Sequence, residues 1–353
     1  MIVDATKKAM GGGELTRDEV SACVSEMVDG GAAASQIGAF LTALRVKGET
    51  PGEIASFAAA LRRMAVRISP AVEGRLVDTC GTGGDAVKTF NVSTVAAFVA
   101  AGAGVRVAKH GNRSVSSRCG SADLLERLGV NLAAGPERVR LAIENVGIGF
   151  IYAPSFHPAL KSVGSIRREL GFRTVFNLLG PLLNPAEARA QLLGVYDGAL
   201  TEQMAEALSE LGSEEAMVVH GEDGLDEISV SGTTRISWLK DGRVSTRAYS
   251  PRELGSPSSY PLDELRVSSQ DDAVRAAVGL LLGGGSEAKR EMALVNAAAA
   301  IVLAGGAPDL PSGREMALES LKGGAAYRKL EELVTFTGGD RSVLEKVSAA
   351  GPP

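Results

Sequence analysis

The sequence predicts an α/β fold in which a helical N-terminal part precedes a larger part that alternates strands and helices. Residues 1–70 carry apolar side chains at helical spacing and show no strand pattern. After Gly74 the pattern changes to a short apolar run, a glycine-rich loop, a helix and a second apolar run, which is a β-loop-α-β unit. The composition agrees with this class, because aromatic residues, which favour strands, make up only 4% of the chain.

Length, charge and cysteine usage limit the classes of protein that the chain can represent. Its 353 residues suggest two domains, and the net charge of −5 argues against nucleic acid as a partner. The apolar stretches at 92–108 and 292–307 are too short and too polar to span a bilayer, and because no apolar stretch follows the N-terminal lysines, we expect no signal peptide. Three cysteines without metal spacing fit a reducing compartment. We therefore expect a soluble cytoplasmic protein with no membrane partner.

Capping signals predict where the N-terminal helices begin and end. Thr16 and Glu19 form a capping box at the start of one helix. A second helix is predicted over 35–48, where a glycine ends it, and a third over 50–65, where proline occupies the first helical position.

The larger part is predicted to contain strands that run into polar loops. A hairpin with Asp241-Gly242 at its turn is predicted over 233–249. Residues 155–185 are expected to be helical and rich in loops, and 250–272 to form a connection rich in serine and proline. The other predicted elements are strands at 75–80, at 105–111 and from 216, and helices at 91–104, 121–129, 271–284 and 286–306.

The stretch GTGGD at 81–85 lies between a predicted strand and a predicted helix. It fits neither an ATP-binding Walker loop nor a dinucleotide loop, because the spacing of the glycines and of Lys88 differs from both. Bare backbone at a strand end nevertheless leaves N–H groups that can bind an anion, while Asp85 suits a ribose hydroxyl or a magnesium shell. The alternative is a structural turn followed by a helix cap. A run of short polar side chains favours the ligand site: Thr89, Asn91, Ser93 and Thr94.

A basic loop, KHGNRSVSSRCGSAD at 109–123, also follows a predicted strand. Lys109 could neutralise a pyrophosphate, and Asn112 could donate a hydrogen bond to an acceptor. The position after a strand favours a ligand site at the carboxyl edge of the sheet over a solvated loop. His110 by itself is more typical of a packing residue than of a catalytic base.

An acidic loop, GEDGLDEIS at 221–229, brings Asp223, Asp226 and Glu227 together. Adjacent carboxylates repel each other, so they indicate a cation, and oxygen ligands beside a phosphate substrate favour Mg²⁺. The alternative is a solvated acidic turn. In the segment 157–185, Arg167 and Arg168 cannot both face one site on a helix, because neighbouring side chains diverge by about 100°.

Taken together, these segments resemble the anthranilate phosphoribosyltransferase family of tryptophan biosynthesis. The resemblance lies in GTGGD with TFNVST, in KHGNRSVSS with GSAD, in HPAL with RRELGFRTVFNLLGPLLNP, in the Asp-Glu pair, in VNAAAA at 295–300 and in QIGAFLTALRVKGET. It covers nearly the whole chain. One departure is Ser165, where the family often has proline, and this position touches no ligand in the family.

The resemblance implies a fold, a reaction and partners. The fold would be a helical domain of residues 1–72, completed by about 158–188, and an α/β domain of residues 73–157 and 189–353 with a mostly parallel central sheet flanked by helices. The enzyme, a pentosyltransferase, would transfer the phosphoribosyl group of phosphoribosyl pyrophosphate (PRPP) to the amine of anthranilate, the second step of tryptophan biosynthesis from chorismate. It would use two magnesium ions per subunit and form a homodimer through the helical domain.

The resemblance also implies roles for individual residues. Catalytic roles fall to Lys109, Asn112 and Arg167, and the magnesium ligands are Ser93, Asp226 and Glu227. Anthranilate would contact Gly81, His110, Asn112, His157 and Arg167. PRPP would contact Gly81, Thr82, Gly84, Asp85, Thr89, Asn91, Ser93, Thr94, Lys109 and Ser121.

Three alternatives stay open at this stage. A pyrimidine nucleoside phosphorylase-like enzyme would cleave a base from ribose and would not need the acidic magnesium pair. A non-catalytic, nucleic-acid-binding paralogue would need a basic face, which the net charge of −5 disfavours. A transferase for another aromatic amine would share every motif described above.

Overall fold

The computed structural model describes residues 1–84, 87–114 and 119–349 and places all strands in the middle of the chain. The strands are β1 (Val77–Gly81), β2 (Val107–Gly111), β3 (Ile148–Tyr152), β4 (Ala190–Gly194), β5 (Glu215–Gly221), β6 (Thr234–Lys240) and β7 (Arg243–Tyr249). The helices up to β4 are α1 (Ile2–Met10), α2 (Arg17–Val28), α3 (Ala34–Lys47), α4 (Pro51–Arg63), α5 (Val92–Gly102), α6 (Ser121–Arg127), α7 (Pro136–Asn145), α8 (Ala153–Phe156), α9 (Gly164–Leu170) and α10 (Phe176–Leu179). The later helices are α11 (Leu200–Glu210), α12 (Gln270–Leu281), α13 (Glu287–Leu303), α14 (Leu310–Lys322), α15 (Ala325–Phe336) and α16 (Arg341–Ala349).

The predicted capping signals start the N-terminal helices as expected. The Thr16 hydroxyl accepts from the Glu19 N–H at 3.3 Å, and the Glu19 carboxylate accepts from the Thr16 N–H at 2.8 Å. Glu53 closes the same kind of box before α4, and its buried carboxylate also pairs with Lys47 at 2.7 Å. Local sequence therefore determines both helix starts.

Within the described residues, a seven-stranded sheet runs in the order β3-β2-β1-β4-β5-β6-β7. The first five strands in this order are parallel, whereas β6 and β7 are antiparallel to their neighbours. Strand β1 lies between β2 and β4, so the direction of travel across the sheet reverses at β1. The predicted fold class is confirmed: a small helical N-terminal domain precedes a larger α/β domain with a mostly parallel sheet and flanking helices.

Alternate side chains of the central strands enter two different apolar cores. Leu192 of β4 and Met217 of β5 pack in the core that α5 and α12–α16 cover. Leu193 and Val218 point to the other face and join the core of α1–α4 and α11. The N-terminal helices therefore share a continuous core with one face of the sheet.

The predicted hairpin is confirmed, but other elements were not anticipated. Asp241 and Gly242 connect β6 to β7 with φ of 51° and 70°, which fits the type I′ turn of a two-residue hairpin. The predicted connection 250–272 is too long at its end, because α12 begins at Gln270. No sequence pattern predicts β4 or α11, and the five residues of β4 are too few to show a period.

The lengths of the helices can be compared with the length that a membrane span requires. None of the helices within residues 1–84, 87–114 and 119–349 combines the length and the apolar character that crossing a bilayer requires. The longest of them, α13, has 17 residues and lies in the core of the α/β domain.

Candidate active site

Two paired glycines end the neighbouring strands β1 and β4, between which the order of strand addition reverses. Gly81 ends β1 and Gly194 ends β4, and the two residues are register partners. A Cβ on Gly194 would lie 1.6 Å from the carbonyl oxygen of Asp226, and one on Gly81 would lie 2.7 Å from the Asp226 carboxylate. The acidic loop after β5 thus sits directly on these strand ends, at the switch point where open α/β sheets bind ligands.

One cavity of about 520 Å³ opens at this edge of the sheet. Every predicted site residue that the structure describes lines it, whereas Asp85 lies outside the described residues. The fold thus brings together residues that are far apart along the chain. They are Gly81, Thr82, Gly84, Thr89, Asn91, Ser93, Thr94, Lys109, His110, Asn112, Ser121, His157, Arg167, Asp226 and Glu227.

The glycine loop is tied to its neighbours through backbone groups. Gly83 and Gly84 have φ of 65° and 82°, a region that favours glycine, so side chains are disfavoured at both positions. The Gly83 N–H donates to Asp226 Oδ2 at 3.0 Å, and the Thr82 N–H donates to the Gly194 carbonyl at 2.8 Å. The loop is therefore held against β4 and the acidic loop.

Arg173 bridges the glycine loop to the segment that joins α9 to α10, a contact that no sequence motif predicts. Its Nη2 donates to the Gly84 carbonyl at 2.9 Å, and its guanidinium lies 3.6 Å from the centroid of the Tyr196 ring. Both side chains line the cavity. An arginine among several in one segment gave no signal that could single it out.

The acidic pair faces the cavity from above the strand ends. Glu227 Oε1 accepts from the Ser93 N–H at 3.2 Å, and Asp226 Oδ2 accepts from Gly83. Burial raises the pKa of Asp226. Asp223 does not join them, because its carboxylate accepts from the Ser229 hydroxyl at 2.5 Å and closes the loop internally.

These donors fit a magnesium ion that is shared with a substrate. Within the described residues, no group of three or more His, Cys, Asp or Glu side chains could hold a metal ion by itself. Magnesium usually takes only one or two carboxylates and completes its shell with waters and substrate phosphates. Asp226 and Glu227 at the rim of the cavity match that donor set.

Lys109 is buried beside the acidic pair, with 2% of its surface exposed. Its Nζ donates to the Thr79 carbonyl at 2.5 Å and to Ser93 Oγ at 3.3 Å. Burial lowers the pKa of Lys109, and the negative charge of Asp78 opposes that shift. The ammonium group therefore lies beneath Ser93, at the floor of the cavity.

Asp78 and Asn184 form a buried network that no sequence motif predicts. Asp78 Oδ1 accepts from the His110 N–H at 3.1 Å, and Asp78 Oδ2 accepts from Asn184 Nδ2 at 2.8 Å. The same Asn184 nitrogen donates to the Ala108 carbonyl at 2.8 Å. Burial raises the pKa of Asp78 to about 6. The sequence feature that could have indicated this network is Asp78 itself, a charged residue inside the apolar run RLVDTC.

His110 and His157 form a pair of buried rings at the edge of the cavity, with centroids 5.2 Å apart. Burial lowers the pKa of His110 to about 3 and that of His157 to about 4, so both rings are neutral at pH 7. Within the described residues, the Nε2 atoms of both rings lack a hydrogen-bond partner, as do Asn91 Oδ1 and Thr94 Oγ1. Buried polar atoms of this kind indicate a place for ligand or water.

The histidine pair predicts how stability depends on pH. The unfolded state takes up these protons near pH 6.5, whereas the folded state does so only near pH 4 and pH 3. Their contribution is therefore full above pH 6.5 and decreases on acidification by up to about 1.4 kcal/mol per pH unit for each ring. Urea unfolding of wild type and His157→Gln at pH 7 and pH 5 should show a smaller loss for the variant. Equal losses would contradict this account.

Arg167 and Arg168 diverge as predicted. Arg167 is half-buried, lies 5.2 Å from the centroid of Phe176 and has no ion-pair partner among the described residues. Burial lowers its pKa. Arg168 is exposed and does not line the cavity. Arg167 thus presents an uncompensated cation to the cavity.

One arginine of the basic loop, Arg113, forms ion pairs within the protein. Arg113 pairs with Asp123 at 3.1 Å and with Glu126 at 2.7 Å, which ties the loop to α6. Asn112 is exposed and lines the cavity, with its Oδ1 accepting from the Arg113 N–H at 2.7 Å. Arg118 lies outside the described residues.

Comparison with known proteins decides the family. The chain matches the family models described as "Glycosyl transferase family, helical bundle domain" over residues 3–65 and "Glycosyl transferase family, a/b domain" over residues 73–327. It is 48% identical over 339 residues to anthranilate phosphoribosyltransferase of Methanocorpusculum labreanum, which covers 96% of this chain and 99% of the relative. The chain belongs to the anthranilate phosphoribosyltransferase family.

Solved structures of the anthranilate phosphoribosyltransferase family share the whole fold. The enzyme of Thermus thermophilus superposes with a TM-score of 0.89 at 42% identity, over 95% of this chain and 99% of that one. The enzyme of Saccharomyces cerevisiae, solved in complex with PRPP and Mg, gives a TM-score of 0.86 at 29% identity, over 96% and 98% of the two chains. The family and the class of pentosyltransferase predicted from the sequence are therefore confirmed.

Proposed function

We propose that the protein transfers the phosphoribosyl group of PRPP to the amine of anthranilate, which gives N-(5-phosphoribosyl)anthranilate and pyrophosphate. The bond between ribose C1 and the pyrophosphate oxygen breaks, a bond from C1 to the amine nitrogen forms, and the amine loses a proton. The observation that carries this proposal is one cavity that combines an anion-binding glycine loop, a carboxylate pair and the cation of Arg167, which has no ion-pair partner among the described residues. Membership of the anthranilate phosphoribosyltransferase family supports it.

PRPP would lie across the glycine loop and the start of α5. Its pyrophosphate would meet the glycine backbone and the buried charge of Lys109, which stabilises negative charge on the leaving group. Short polar side chains would hold the ribose and the phosphates. The proposed contacts are Gly81, Thr82, Gly84, Asp85, Thr89, Asn91, Ser93, Thr94, Lys109 and Ser121.

Anthranilate would lie between Arg167 and the histidine pair. The guanidinium of Arg167 would bind the carboxylate through two parallel hydrogen bonds. Neutral His110 and His157 would offer uncharged ring edges, and Asn112 would orient the amine, with Gly81 at the same wall. The aromatic amine is neutral at pH 7, so the reaction needs positioning more than it needs a base.

We propose that Asp226, Glu227 and Ser93 hold magnesium, with two ions per subunit when PRPP is present. Magnesium would supply positive charge that stabilises the departing pyrophosphate. The hydrogen bonds from Gly83 and from Ser93 hold the two carboxylates at the cavity rim.

The rival functions make different demands on the site. A nucleoside phosphorylase-like enzyme has no need of the carboxylate pair, and phosphorolysis of uridine or thymidine without Mg²⁺ would support it. A nucleic-acid-binding paralogue would shift single-stranded DNA in a gel, against the net charge of −5. Profiling of aromatic amines separates anthranilate from other acceptors.

The test follows the decay of anthranilate fluorescence with PRPP and Mg²⁺ in wild type and in three variants. Arg167→Ala should raise KM for anthranilate about 10- to 100-fold, because a charge-assisted bond is lost. Arg168→Ala, which removes the exposed neighbour, is the matched control and should leave KM unchanged. Asp226→Asn with Glu227→Gln should raise the magnesium demand. No consumption by folded wild type would reject the proposal.

We also propose a homodimer through the helical domain, with that domain formed by residues 1–72 and about 158–188. Val3 and Met10 on α1 and Val46 on α3 expose 43%, 75% and 82% of their surface, and because α1 packs against α3, a second copy that covered these two helices would bury apolar side chains. Val46→Glu should convert a dimer to a monomer in sedimentation. A wild type that sediments as a monomer would reject this proposal.

A cytoplasmic location completes the proposal. The side chains of Cys23, Cys80 and Cys119 are all unpaired, which fits a reducing compartment. Cell fractionation with an antibody to the protein tests this location.

A further inference from the structure

Helix α13 carries one polar side chain deep in an apolar run. Between Met292 and Leu303, Asn296 is the only polar residue, and it is fully buried. Burying an amide is costly unless it is hydrogen-bonded, so a partner that compensates the amide is expected. This asparagine belongs to the VNAAAA motif at 295–300, to which the proposed substrate contacts give no role.

Asn296 holds both backbone groups of a single residue in the acidic loop. Its Oδ1 accepts from the Ile228 N–H at 3.0 Å, and its Nδ2 donates to the Ile228 carbonyl at 3.0 Å. A further bond to the Met292 carbonyl at 2.9 Å fixes the amide on its own helix. The side chain therefore binds the N–H and the carbonyl of one loop residue, as the backbone of a neighbouring β-strand would. That residue, Ile228, directly follows Glu227.

The same helix supports the other side of the magnesium site. Helix α13 packs against α5, whose first turn contains Ser93. The Ser93 N–H donates to Glu227 at 3.2 Å. Leu225 and Ile228, on either side of the acidic pair, are fully buried. The loop is thus anchored at both ends, with only the two carboxylates turned to the cavity.

We infer that Asn296 is a positioning residue that fixes the backbone of the Asp226–Glu227 pair and thereby sets the affinity of the site for the metal carried by PRPP. The inference rests on the proposed function. Asn296 itself does not line the cavity. Its effect would pass through Ile228 to the carboxylates, in the way that outer hydrogen bonds orient metal ligands in other proteins.

The experiment measures Mn²⁺ binding by electron paramagnetic resonance, with pyrophosphate as the second ligand. Asn296→Ala should weaken Mn²⁺ binding about 10-fold, because Ile228 loses both of its partners. KM for PRPP should rise at limiting Mg²⁺ and recover at high Mg²⁺, whereas KM for anthranilate should stay constant. Asn296→Ser, which leaves a short hydroxyl, should show the same pattern if the alanine variant folds poorly.

Ser320→Ala is the matched control. Its buried hydroxyl donates to the Val99 carbonyl at 2.8 Å, and the residue packs against α5 away from the acidic loop. This variant should lose stability without a change in Mn²⁺ affinity. Asn296 variants that behave like Ser320→Ala would reduce Asn296 to a structural role and overturn the inference.

The metal measurement separates the inference from the proposed function. Wild type that binds Mn²⁺ and pyrophosphate but consumes no anthranilate would reject the proposed acceptor alone. In that case the shift in Mn²⁺ affinity in the variants still decides the role of Asn296. Wild type that binds no Mn²⁺ would overturn the inference.

Discussion

Replacement of Gly194 by alanine should lower kcat/KM for PRPP by about 100-fold or more, which corresponds to about 2.7 kcal/mol. The new Cβ would lie 1.6 Å from the Asp226 carbonyl oxygen, and because that oxygen belongs to the backbone, the chain itself must move to relieve the overlap. The acidic loop would have to leave the strand ends, and with it the two carboxylates. Steady-state kinetics at saturating anthranilate and increasing Mg²⁺ would measure the loss.

Gly135→Ala is the control for this change. Apart from its two chain neighbours, no described residue has an atom within 4 Å of a Cβ at Gly135, which precedes α7 away from the cavity. We expect wild-type kinetics from that variant. A Gly194→Ala enzyme with normal kinetics would mean that the loop does not need to rest on the end of β4.

Asp78→Asn should lower the free energy of unfolding by about 3 kcal/mol, because a buried hydrogen-bond network loses its charged acceptor and leaves a donor unsatisfied. The new amide would place a donor opposite the Asn184 donor, and the buried Lys109 would lose the nearby negative charge. Weaker binding of PRPP should accompany the loss, because Lys109 would hold its proton less firmly. Urea unfolding and PRPP titration measure the two effects.

A surface aspartate provides the comparison. Asp263 is 88% exposed and pairs with the surface residue Arg266, so Asp263→Asn removes the same charge without disturbing a buried network. That variant should keep wild-type stability and kinetics. Equal behaviour of the two variants would show that the position of Asp78 beside Lys109 has no special importance.

Local signals made part of this architecture predictable. The capping box at Thr16, the helix start at Pro51 and the Asp241-Gly242 turn depend on residues within a few positions of each other, and all three form as expected. The loops of the candidate site were predictable for a related reason. Glycines, carboxylates and basic residues cluster at strand ends, and parallel strands bring those ends to one edge.

Contacts between distant segments explain what the sequence did not reveal. Gly194 is important because Asp226, 32 positions later, rests on it, and a glycine at the end of an unrecognised strand carries no such information. Asn184 and Asp78 meet across 106 positions. Their roles depend on burial and register, which exist only once the sheet has formed.

The core shared between the N-terminal helices and the sheet limits how this protein could be recombined. Phe40 and Phe57 of the helices lie in the same apolar cluster as Leu193 of β4 and Val218 of β5. A chimera that exchanged α1–α4 for the helices of a relative would place foreign side chains against that face of the sheet. The helical bundle and strands β4 and β5 should therefore be exchanged together. A gene fusion that separates them would expose an apolar surface, prone to aggregation, on each piece.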